Sequence, residues 1–409
     1  MAIREIKNLD ELVFGFVEKS NFIGATINTL TAAGENYCSE LLAVDISVRD
    51  GENTKIIRTV AKLLPQNEFV QKLLQSERTF FLEVEFYKTF VPCLRQFQQE
   101  KGFTQLFNAF PEFYTARFNL EQNSEKIDEN AVLVIKNLKD EGFVILDRKV
   151  GFDLDQAKPV LEKMAELHAT VFALRALKPE VFDSKLGELF EEFVMYEAPK
   201  EDQRKFVDSL LKLIEDDDFC AKNMDRIRDT LLKSCEMTKK KNDKAMKHRF
   251  SSFCHFDMWT NNIMVKSANG IITDVKFVDF QIYEYSSLTS DVLLFLFTSV
   301  QLSVIQSEFD NLLIFYYENF IKYLRKLKCD ASGLTFEEFL NEMAIVAKTR
   351  ELMHVLLMIQ PIYRDEKDAK EVKNMSKEDF LRNNKEQISQ QCKQKATYVV
   401  HEFNRRGWL

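Results

Sequence analysis

The hydrophobic pattern of this chain changes from alternation to helical spacing near residue 140. Apolar residues alternate over residues 41–48 and again over residues 55–64, on either side of a polar turn at Gly51. Two alternating runs around such a turn predict a β-hairpin. Beyond residue 140, apolar residues recur mainly at the spacing of amphipathic helices. The pattern predicts an α+β fold with two lobes, a strand-rich N-lobe over residues 1–138 and a mostly helical C-lobe over residues 139–409.

Further segments define the elements on either side of the predicted cleft. In the N-lobe, residues 71–90 have helical spacing, whereas residues 110–119 and 131–138 have the character of strands. In the C-lobe, residues 262–266 and 271–280 flank a second turn and predict another hairpin. A cleft between two such lobes is a common place for a ligand.

Composition and charge exclude several classes of protein. The 409 residues carry a net charge of −8, and the basic run at residues 239–241 is short, so we predict no nucleic-acid binding. The seven cysteines are scattered, without a C-x-x-C pair, which indicates neither a disulfide framework nor a zinc site. The N-terminus lacks a signal-peptide pattern and no apolar stretch reaches transmembrane length. We therefore expect a cytoplasmic protein without membrane contact; the sequence indicates no oligomeric state.

One polar segment in the C-lobe has the spacing H-x-D-x-x-x-x-N, formed by His255, Asp257 and Asn262. This is the spacing of a kinase catalytic loop. Phosphoryl transfer needs a carboxylate that accepts or orients the proton of the acceptor hydroxyl, and an amide oxygen that reaches a metal ion on the phosphates. Asp257 and Asn262 fit these two roles. The alternative is a polar turn whose side chains cap backbone groups.

A second acidic residue follows the predicted hairpin of the C-lobe. Asp279 ends the apolar run Phe277-Val278, and in kinase folds a short hairpin after the catalytic loop ends in an aspartate that binds magnesium. A carboxylate in apolar surroundings is costly unless it is paired or bound to a metal ion. We therefore predict Asp279 as a magnesium ligand, with an exposed aspartate at the end of a strand as the alternative.

A lysine and a glutamate in the N-lobe complete the charged set. Lys62 lies on the strand face that it shares with Val60 and Leu64, where an isolated lysine would more often point to solvent. Glu83 falls between Phe80 and Tyr87 on the apolar stripe of the predicted helix. An inward glutamate needs a cation, and Lys62 is the candidate. A lysine held in this way can contact the α- and β-phosphates of a nucleotide.

A loop that could cover the phosphates precedes the first predicted strand. It contains Gly34, Asn36 and Ser39, with a single glycine instead of a G-x-G-x-x-G motif. Backbone N–H groups of such a loop can bind phosphate, with Asn36 or Ser39 assisting. An ordinary turn is the alternative.

With these residues identified, the chain resembles the arthropod ecdysteroid-kinase-like family, which is related to choline and aminoglycoside kinases. The resemblance extends over about residues 34–358, nearly the whole chain. Its motifs are G-[DE]-N-[YF]-x-S at residues 34–39, H-x-D-x-W-x-N-N-I-M at residues 255–264 and V-D-F-Q at residues 278–281. Residues 80–87 resemble F-x-x-E-x-x-x-Y, with Phe80 or Phe81 as the first aromatic, and residues 291–296 resemble D-L-x-x-F-L, with Val292 in place of the leucine.

The resemblance implies a kinase-like fold that uses ATP and magnesium to phosphorylate a small-molecule alcohol, such as an ecdysteroid-like steroid. It implies that Asp257 is the catalytic base and that Asn262 and Asp279 bind magnesium. Lys62 and Glu83 would bind the ATP phosphates. Residues 134–138, including Lys136 and Leu138, would form the hinge whose backbone faces adenine.

Three further residues follow from the resemblance. His168 matches a helical L-H-A element of the family and is expected to be structural. Asp291 either supports the catalytic loop or caps a helix. Phe256 stands where the family usually has glycine, a departure that can alter the loop but keeps every charged group.

Several alternatives remain at this stage. The acceptor could be choline, an amino sugar or a plant-derived toxin. The chain could instead be a catalytically inactive protein that binds a small ligand, although such a protein would have no need of magnesium ligands. A protein kinase is disfavoured because A-P-E does not follow Asp279 and Gln281 replaces the glycine of D-F-G.

Overall fold

The N-terminal part of the chain forms one antiparallel sheet. The computed structural model describes residues 3–30, 39–121, 124, 126–190, 199–237, 248–364 and 388–409. The strands lie in the order β1-β2-β3-β5-β4. Their bounds are Phe22–Thr29 (β1), Glu40–Asp50 (β2), Asn53–Leu63 (β3), Phe113–Arg117 (β4) and Val132–Lys136 (β5). Strands β2 and β3 pair from Asp50 with Asn53 to Glu40 with Leu63, which confirms the predicted hairpin.

The helical segment that follows β3 is interrupted, and the continuous helix predicted over residues 71–90 is wrong. Gln75 has a φ of 47°, which ends one helix and starts the next. A π-helical segment, Phe86–Phe90, then leads into a further helix. The helices of this part of the chain are Leu9–Val13 (α1), Glu68–Leu73 (α2), Ser76–Glu85 (α3) and Val91–Glu100 (α4).

The rest of the described chain is mainly helical, so the predicted α+β class is confirmed. Its helices are Leu154–Leu177 (α5), Pro179–Leu186 (α6), Lys200–Leu211 (α7), Asp218–Lys222 (α8), Met224–Met237 (α9), Thr289–Ser299 (α10), Leu302–Lys326 (α11), Phe336–Val346 (α12), Leu352–Ile362 (α13) and Gln390–Arg405 (α14). Its strands are Val144–Ile145 (β6), Ser251–Cys254 (β7), Ile263–Ala268 (β8), Ile271–Phe277 (β9) and Glu284–Ser287 (β10). Strands β8 and β9 form the predicted second hairpin, and β7 pairs with β10.

The two parts share one hydrophobic core. Every residue of α10 is buried, and α10 packs against α11, α12 and α13. The core continues from these helices to the π-helical segment after α3, where the ring of Phe86 stacks on Phe280 with 3.7 Å between the ring centroids. The lobe boundary after Leu138 stays a prediction; β5 ends two residues before it. Among the helices of the described ranges, none has the length and apolar character that crossing a bilayer requires.

Gly151 allows the start of α5 to lie against the end of α10. Its φ is +76°, and a Cβ atom there would lie 2.5 Å from the carbonyl oxygen of Ser299. That oxygen already accepts a hydrogen bond from Phe152 N at 2.8 Å, and Gln301 N donates to Phe152 O at 2.9 Å. A side chain at residue 151 would therefore separate the two helices.

We expect Gly151→Ala to be more destabilising than Gly102→Ala. Gly102 also has a positive φ, of +85°, but open space where a Cβ would be. Both variants incur backbone strain of about 1–2 kcal/mol, and only Gly151→Ala adds a steric overlap of about 1–3 kcal/mol. Urea unfolding measures both free energies. Equal losses in the two variants would contradict the close approach.

Lys395 of α14 is buried. Its side-chain amine donates to the carbonyl oxygen of Val300, and the residue is 2% exposed. Burial lowers its pKa from 10.5 to about 7. Because the unfolded chain binds this proton more tightly than the folded protein does, the contribution of Lys395 to stability rises between pH 7 and the pKa of an exposed lysine.

The stability of Lys395→Met should accordingly lack this dependence on pH. Relative to Lys395→Met, the wild-type free energy of unfolding should increase by about 2 kcal/mol between pH 7 and pH 9. Urea unfolding at several pH values gives this difference, with the partly exposed Lys393→Met on the same helix as the control. A difference that is constant with pH would mean that folded Lys395 keeps its proton.

Candidate active site

Lys62, Glu83 and Asp279 form a buried ion cluster, called here the Lys62 cluster. Strand β3 presents Lys62 on the same face as Val60 and Leu64, and α3 presents Glu83. Lys62 Nζ lies 2.5 Å from Glu83 Oε2 and donates to Asp279 Oδ1 at 2.8 Å. The side chains of Lys62, Glu83 and Asp279 are 5%, 2% and 19% exposed. The structure therefore brings together three residues that the sequence singled out separately.

The charges within the Lys62 cluster depend on one another. Burial opposes protonation of Lys62, but Asp279 and Glu83 outweigh it and hold the pKa of Lys62 above its ordinary value. Burial also opposes ionisation of Asp279, yet Lys62 lowers the pKa of that carboxyl. For Glu83, burial dominates and raises the pKa to about 7, against the charge of Lys62. Lys62 and Asp279 are thus charged at neutral pH, and Glu83 is the member whose charge responds to pH in that range.

The backbone around Asp279 has an unusual conformation. Asp279 follows β9 with a φ of 70°, in the left-handed region that residues other than glycine rarely occupy. Its carboxylate also accepts a hydrogen bond from Gln281 Nε2. The next residue, Phe280, is fully buried against Phe86. This packing holds the strained backbone in place, and strain of this kind is common at functional sites.

The H-x-D-x-x-x-x-N segment forms a buried loop between β7 and β8. Asn262 Nδ2 donates to Asp257 Oδ2 at 2.7 Å and to the Asp257 carbonyl at 2.8 Å. Val278 N donates to Asn262 O at 3.0 Å, and His255 Nε2 donates to Val278 O at 3.0 Å. The residue before Asp279 is therefore hydrogen-bonded to both ends of this loop, which links Asp257 and Asn262 to the Lys62 cluster.

Asp257 lies in surroundings that favour a bound proton. Burial, and then the negative charge of Asp279, raise the pKa of Asp257 to about 7. A carboxylate with such a pKa can accept a proton and release it near neutral pH. Perturbed pKa values of this kind are frequent at catalytic positions.

Asp291 supports the loop from below. It is fully buried in the first turn of α10, and it accepts hydrogen bonds from His255 N at 2.6 Å and from Phe256 N at 2.9 Å. His168 Nε2 lies 3.3 Å from the same carboxylate, and His168 Nδ1 lies 2.6 Å from the Tyr316 hydroxyl. Of the two alternatives for Asp291, the structure supports the contact with the catalytic loop. His168 is fully buried, and its predicted structural role stays a prediction that these contacts support.

The oxygen atoms of the site suit a magnesium ion. Because both hydrogen bonds of the Asn262 amide group use Nδ2, its Oδ1 is the atom available to a metal. Asp279 contributes a carboxylate that already faces a cation, Lys62. Carboxylate and amide oxygens are ligands that Mg²⁺ accepts together with phosphate oxygens. Asn262 and Asp279 therefore fit the predicted ion, although their role as ligands stays a prediction.

Part of the predicted hinge already forms hydrogen bonds and ion pairs within the protein. Lys136 N donates to the carbonyl of Glu112 at 2.8 Å, so any adenine contact of the Lys136 backbone would have to use its carbonyl oxygen. The Lys136 side chain pairs with Glu141 at 2.5 Å. Leu138 begins a short 3₁₀ turn and is buried.

Beside the hinge lies a small apolar cluster that sequence analysis missed. It consists of Leu138, Phe143 and Met264, with Val278 packed against it. Met264 lies two residues after Asn262, and Val278 immediately precedes Asp279. This closeness to the polar motif residues in the sequence was the signal that could have identified the cluster. A separate apolar surface of this kind suits a flat heterocycle.

Three predicted residues belong to the loop that would cover the phosphates. Gly34 and Asn36 lie outside the described residues, and their role stays a prediction. Ser39 is described and 5% exposed, immediately before β2.

A group of possible metal ligands outside this site has a structural explanation. Among the described residues, Asp217, Cys220 and His401 lie close together. Asp217 accepts hydrogen bonds from Cys220 N and His401 Nε2, each at 2.9 Å, and so caps α8. Burial raises the pKa of Cys220 to about 12, which keeps the thiol protonated. We assign no metal ion to this group.

The fold and the site define a kinase-like protein: a strand-rich lobe carries a buried Lys–Glu pair, and a helical lobe carries the H-x-D-x-x-x-x-N loop and the following aspartate. The sequence matches the ecdysteroid kinase-like family over residues 33–329, which is more than half of the chain. The chain belongs to this family. A comparison with curated proteins gave no match.

Solved structures that resemble the chain include aminoglycoside phosphotransferases. The GDP complex of wild-type aminoglycoside 2'-phosphotransferase-IIIa has 10% identity, with coverage of 99% of this chain and 100% of that chain and a TM-score of 0.41. The GDP complex of a mutant of that enzyme has 12% identity, coverage of 94% and 92%, and a TM-score of 0.39. Aminoglycoside-3'-phosphotransferase of type VIII has 14% identity, coverage of 78% and 94%, and a TM-score of 0.31. Because these TM-scores are low, the kinase-like assignment rests on the family and on the elements of the chain itself.

Lys62→Met should strongly weaken nucleotide binding, whereas Lys55→Met should leave it unchanged. Both lysines lie on β3, but Lys55 is exposed and Lys62 is part of the buried cluster. Loss of the Lys62 charge removes the predicted phosphate contact, for which we expect an affinity at least about 100-fold weaker. Titration of a fluorescent ATP analogue in the presence of Mg²⁺ measures the affinity. Equal affinities for the two variants would contradict the predicted role of Lys62, and circular dichroism verifies that both variants are folded.

Proposed function

We propose that this chain transfers the terminal phosphoryl group of ATP, with magnesium, to a hydroxyl of a small-molecule alcohol, an ecdysteroid-like steroid or a related secondary metabolite. The proposal depends chiefly on the contact of one buried lysine, Lys62, with both Glu83 and Asp279. A lysine of this kind needs a reason to be buried, and a nucleotide phosphate with its metal ion supplies one. Membership of the ecdysteroid kinase-like family supports the same reaction class.

In the proposed reaction, Asp257 orients the acceptor hydroxyl and takes up its proton. The acceptor oxygen forms a bond to the γ-phosphorus as the bond from that phosphorus to the bridging oxygen breaks, and ADP leaves with the bonding electrons. The hydrogen bond from Asn262 holds the Asp257 carboxylate in one orientation. The pKa of about 7 suits a group that must then release the proton to solvent.

The nucleotide would lie between the Lys62 cluster and the hinge. Lys62, oriented by Glu83, would contact the α- and β-phosphates, while Asn262 and Asp279 would hold magnesium. The magnesium ion would neutralise charge that develops on the phosphate oxygens. Gly34, Asn36 and Ser39 would cover the phosphates.

The adenine ring would face the hinge and the small apolar cluster beside it. We propose that the Lys136 carbonyl and the backbone of Leu138 contact the edge of the ring. Phe143 and Met264 would then contact its faces. Backbone contacts of this kind tolerate substitution of the hinge side chains, because they do not involve those side chains.

The steroid-like acceptor and the cytoplasmic location are the most specific parts of the proposal. The ecdysteroid-like acceptor follows from the family. Choline and xenobiotic alcohols are the alternative acceptors, and ligand binding without catalysis is the alternative function. Each alternative gives a different result in the experiment below.

We expect Asp257→Asn to reduce phosphate transfer by at least about 1,000-fold, since it removes the proton acceptor. Asp208→Asn is the control, because Asp208 lies on α7 and pairs with Arg228 of α9, outside the proposed site. The affinity for ATP should stay within about threefold of wild type in both variants. Folded Asp257→Asn protein with undiminished turnover would show that Asp257 is not the base.

The acceptor is identified by incubating wild-type protein and Mg-ATP with ecdysone, choline and kanamycin in separate reactions. Mass spectrometry detects the phosphorylated product. We expect a product from ecdysone that depends on Asp257. A product from choline or kanamycin alone would replace the steroid assignment, and ATP binding without any product from a wider panel of alcohols would favour the non-catalytic alternative.

A further inference from the structure

The guanidinium of Arg350 covers the ring of Phe256, the residue immediately before Asp257. The guanidinium carbon of Arg350 lies 4.0 Å from the centroid of this ring. Arg350 belongs to the π-helical segment Ala347–Glu351 between α12 and α13. This segment follows the region that matches the family, which ends at residue 329. The contact therefore joins a loop inside the family match to a part of the chain beyond it.

Phe256 is a point of strain in the catalytic loop. Its φ of 60° lies in the left-handed region, which glycine adopts freely and a phenylalanine adopts at a cost. A relaxation of this φ would turn the peptide plane that leads into Asp257. The hydrogen bond from Phe256 N to Asp291 opposes such a relaxation from the backbone side. Arg350 opposes it from the side of the ring, because a stacked guanidinium holds an aromatic side chain in one position.

The guanidinium of Arg350 is itself held in place by three side chains on three different elements. Its Nε lies 3.2 Å from Oε1 of Glu351, a carboxylate that is fully buried. Its Nη2 donates to Ser290 Oγ at 3.2 Å, and its Nη1 lies 3.6 Å from Glu284 Oε2. Ser290 precedes Asp291 on α10, and Glu284 on β10 pairs with Cys254, the last residue of β7 before the loop. The groups that fix Arg350 thus lie next to those that carry the catalytic loop.

We propose that Arg350 is a positioning residue for phosphate transfer, which holds Phe256 in its left-handed conformation so that Asp257 faces the acceptor. Arg350 acts through Phe256 and contributes no group to the reaction. The inference rests on the proposed function for its effect on turnover, whereas the restraint on the loop is independent of that function.

The restraint is tested by hydrogen exchange of the catalytic loop, followed by mass spectrometry of peptides that span residues 250–262. In Arg350→Ala, the amides of His255 and Phe256 should exchange about tenfold faster than in wild type, because the hydrogen bonds to Asp291 open more often. Arg406→Ala is the matched control: Arg406 also stacks on a ring, that of Phe309, at 4.3 Å, but it immediately follows the C-terminal helix α14. Unchanged exchange in Arg350→Ala would overturn the proposal, whatever the activity of the protein.

The functional consequence is tested by the hydrolysis of Mg-ATP with water as the acceptor. Arg350→Ala should lower kcat about tenfold and leave KM for ATP within about twofold, since Arg350 contacts none of the residues of the Lys62 cluster in the contacts described above. Arg350→Lys keeps the charge but loses the planar stack, so it should show an intermediate kcat, and it also serves if Arg350→Ala does not fold. Parallel changes in kcat and KM would contradict a role in positioning Asp257.

The dependence on Phe256 is tested by a double-mutant cycle. In Phe256→Gly, the strain and the ring are both removed, so Arg350→Ala should have no further effect on exchange or on kcat. A loss of the same size in the Phe256→Gly background would show that Arg350 acts by another route. If wild type hydrolyses no ATP and transfers no phosphate, the proposed function fails, and the exchange arm of the cycle still decides the restraint.

Discussion

The contact of Lys62 with Glu83 and Asp279 is the interaction on which the site depends. It joins β3, α3 and the segment after β9, which lie far apart in the sequence. Three charged groups in a buried position are costly unless they compensate one another. The cluster is therefore satisfied only when the sheet and the helical part of the chain come together. The same requirement aligns the predicted phosphate contact with the predicted magnesium ligand.

The second constraint is the strained backbone on either side of the site. Phe256 and Asp279 both have positive φ values although neither is glycine. Buried neighbours maintain these conformations: Asp291 binds two backbone N–H groups of the catalytic loop, and Phe280 stacks on Phe86. Because α10 and the aromatic core are rigid, these contacts hold Asp257 and Asp279 in fixed positions. Core packing in this protein has a direct consequence for chemistry.

Much of the architecture could be predicted because it follows from local patterns of apolar and turn residues. The β2–β3 and β8–β9 hairpins follow from alternation around turn residues. The elements that the sequence analysis missed or misjudged have local causes, which the periodicity of apolar residues does not show. The break at Gln75 is a single left-handed residue within helical spacing, and the β7–β10 pairing joins two four-residue strands across the catalytic loop. Strand β1 was also missed, since its exposed edge position does not require strict alternation.

The sequence by itself determined the fold class, the order of the charged motif residues and the pairing of an inward glutamate with a lysine, because each is encoded within a strand, a helix turn or a short loop. Tertiary structure alone decided that Lys62 also contacts Asp279, 217 positions away, and that Arg350 covers Phe256. It also decided that the Lys136 N–H donates a hydrogen bond to the carbonyl oxygen of Glu112. The physical reason is that periodicity reports which face of an element is buried, whereas the partner on that face depends on how the elements pack.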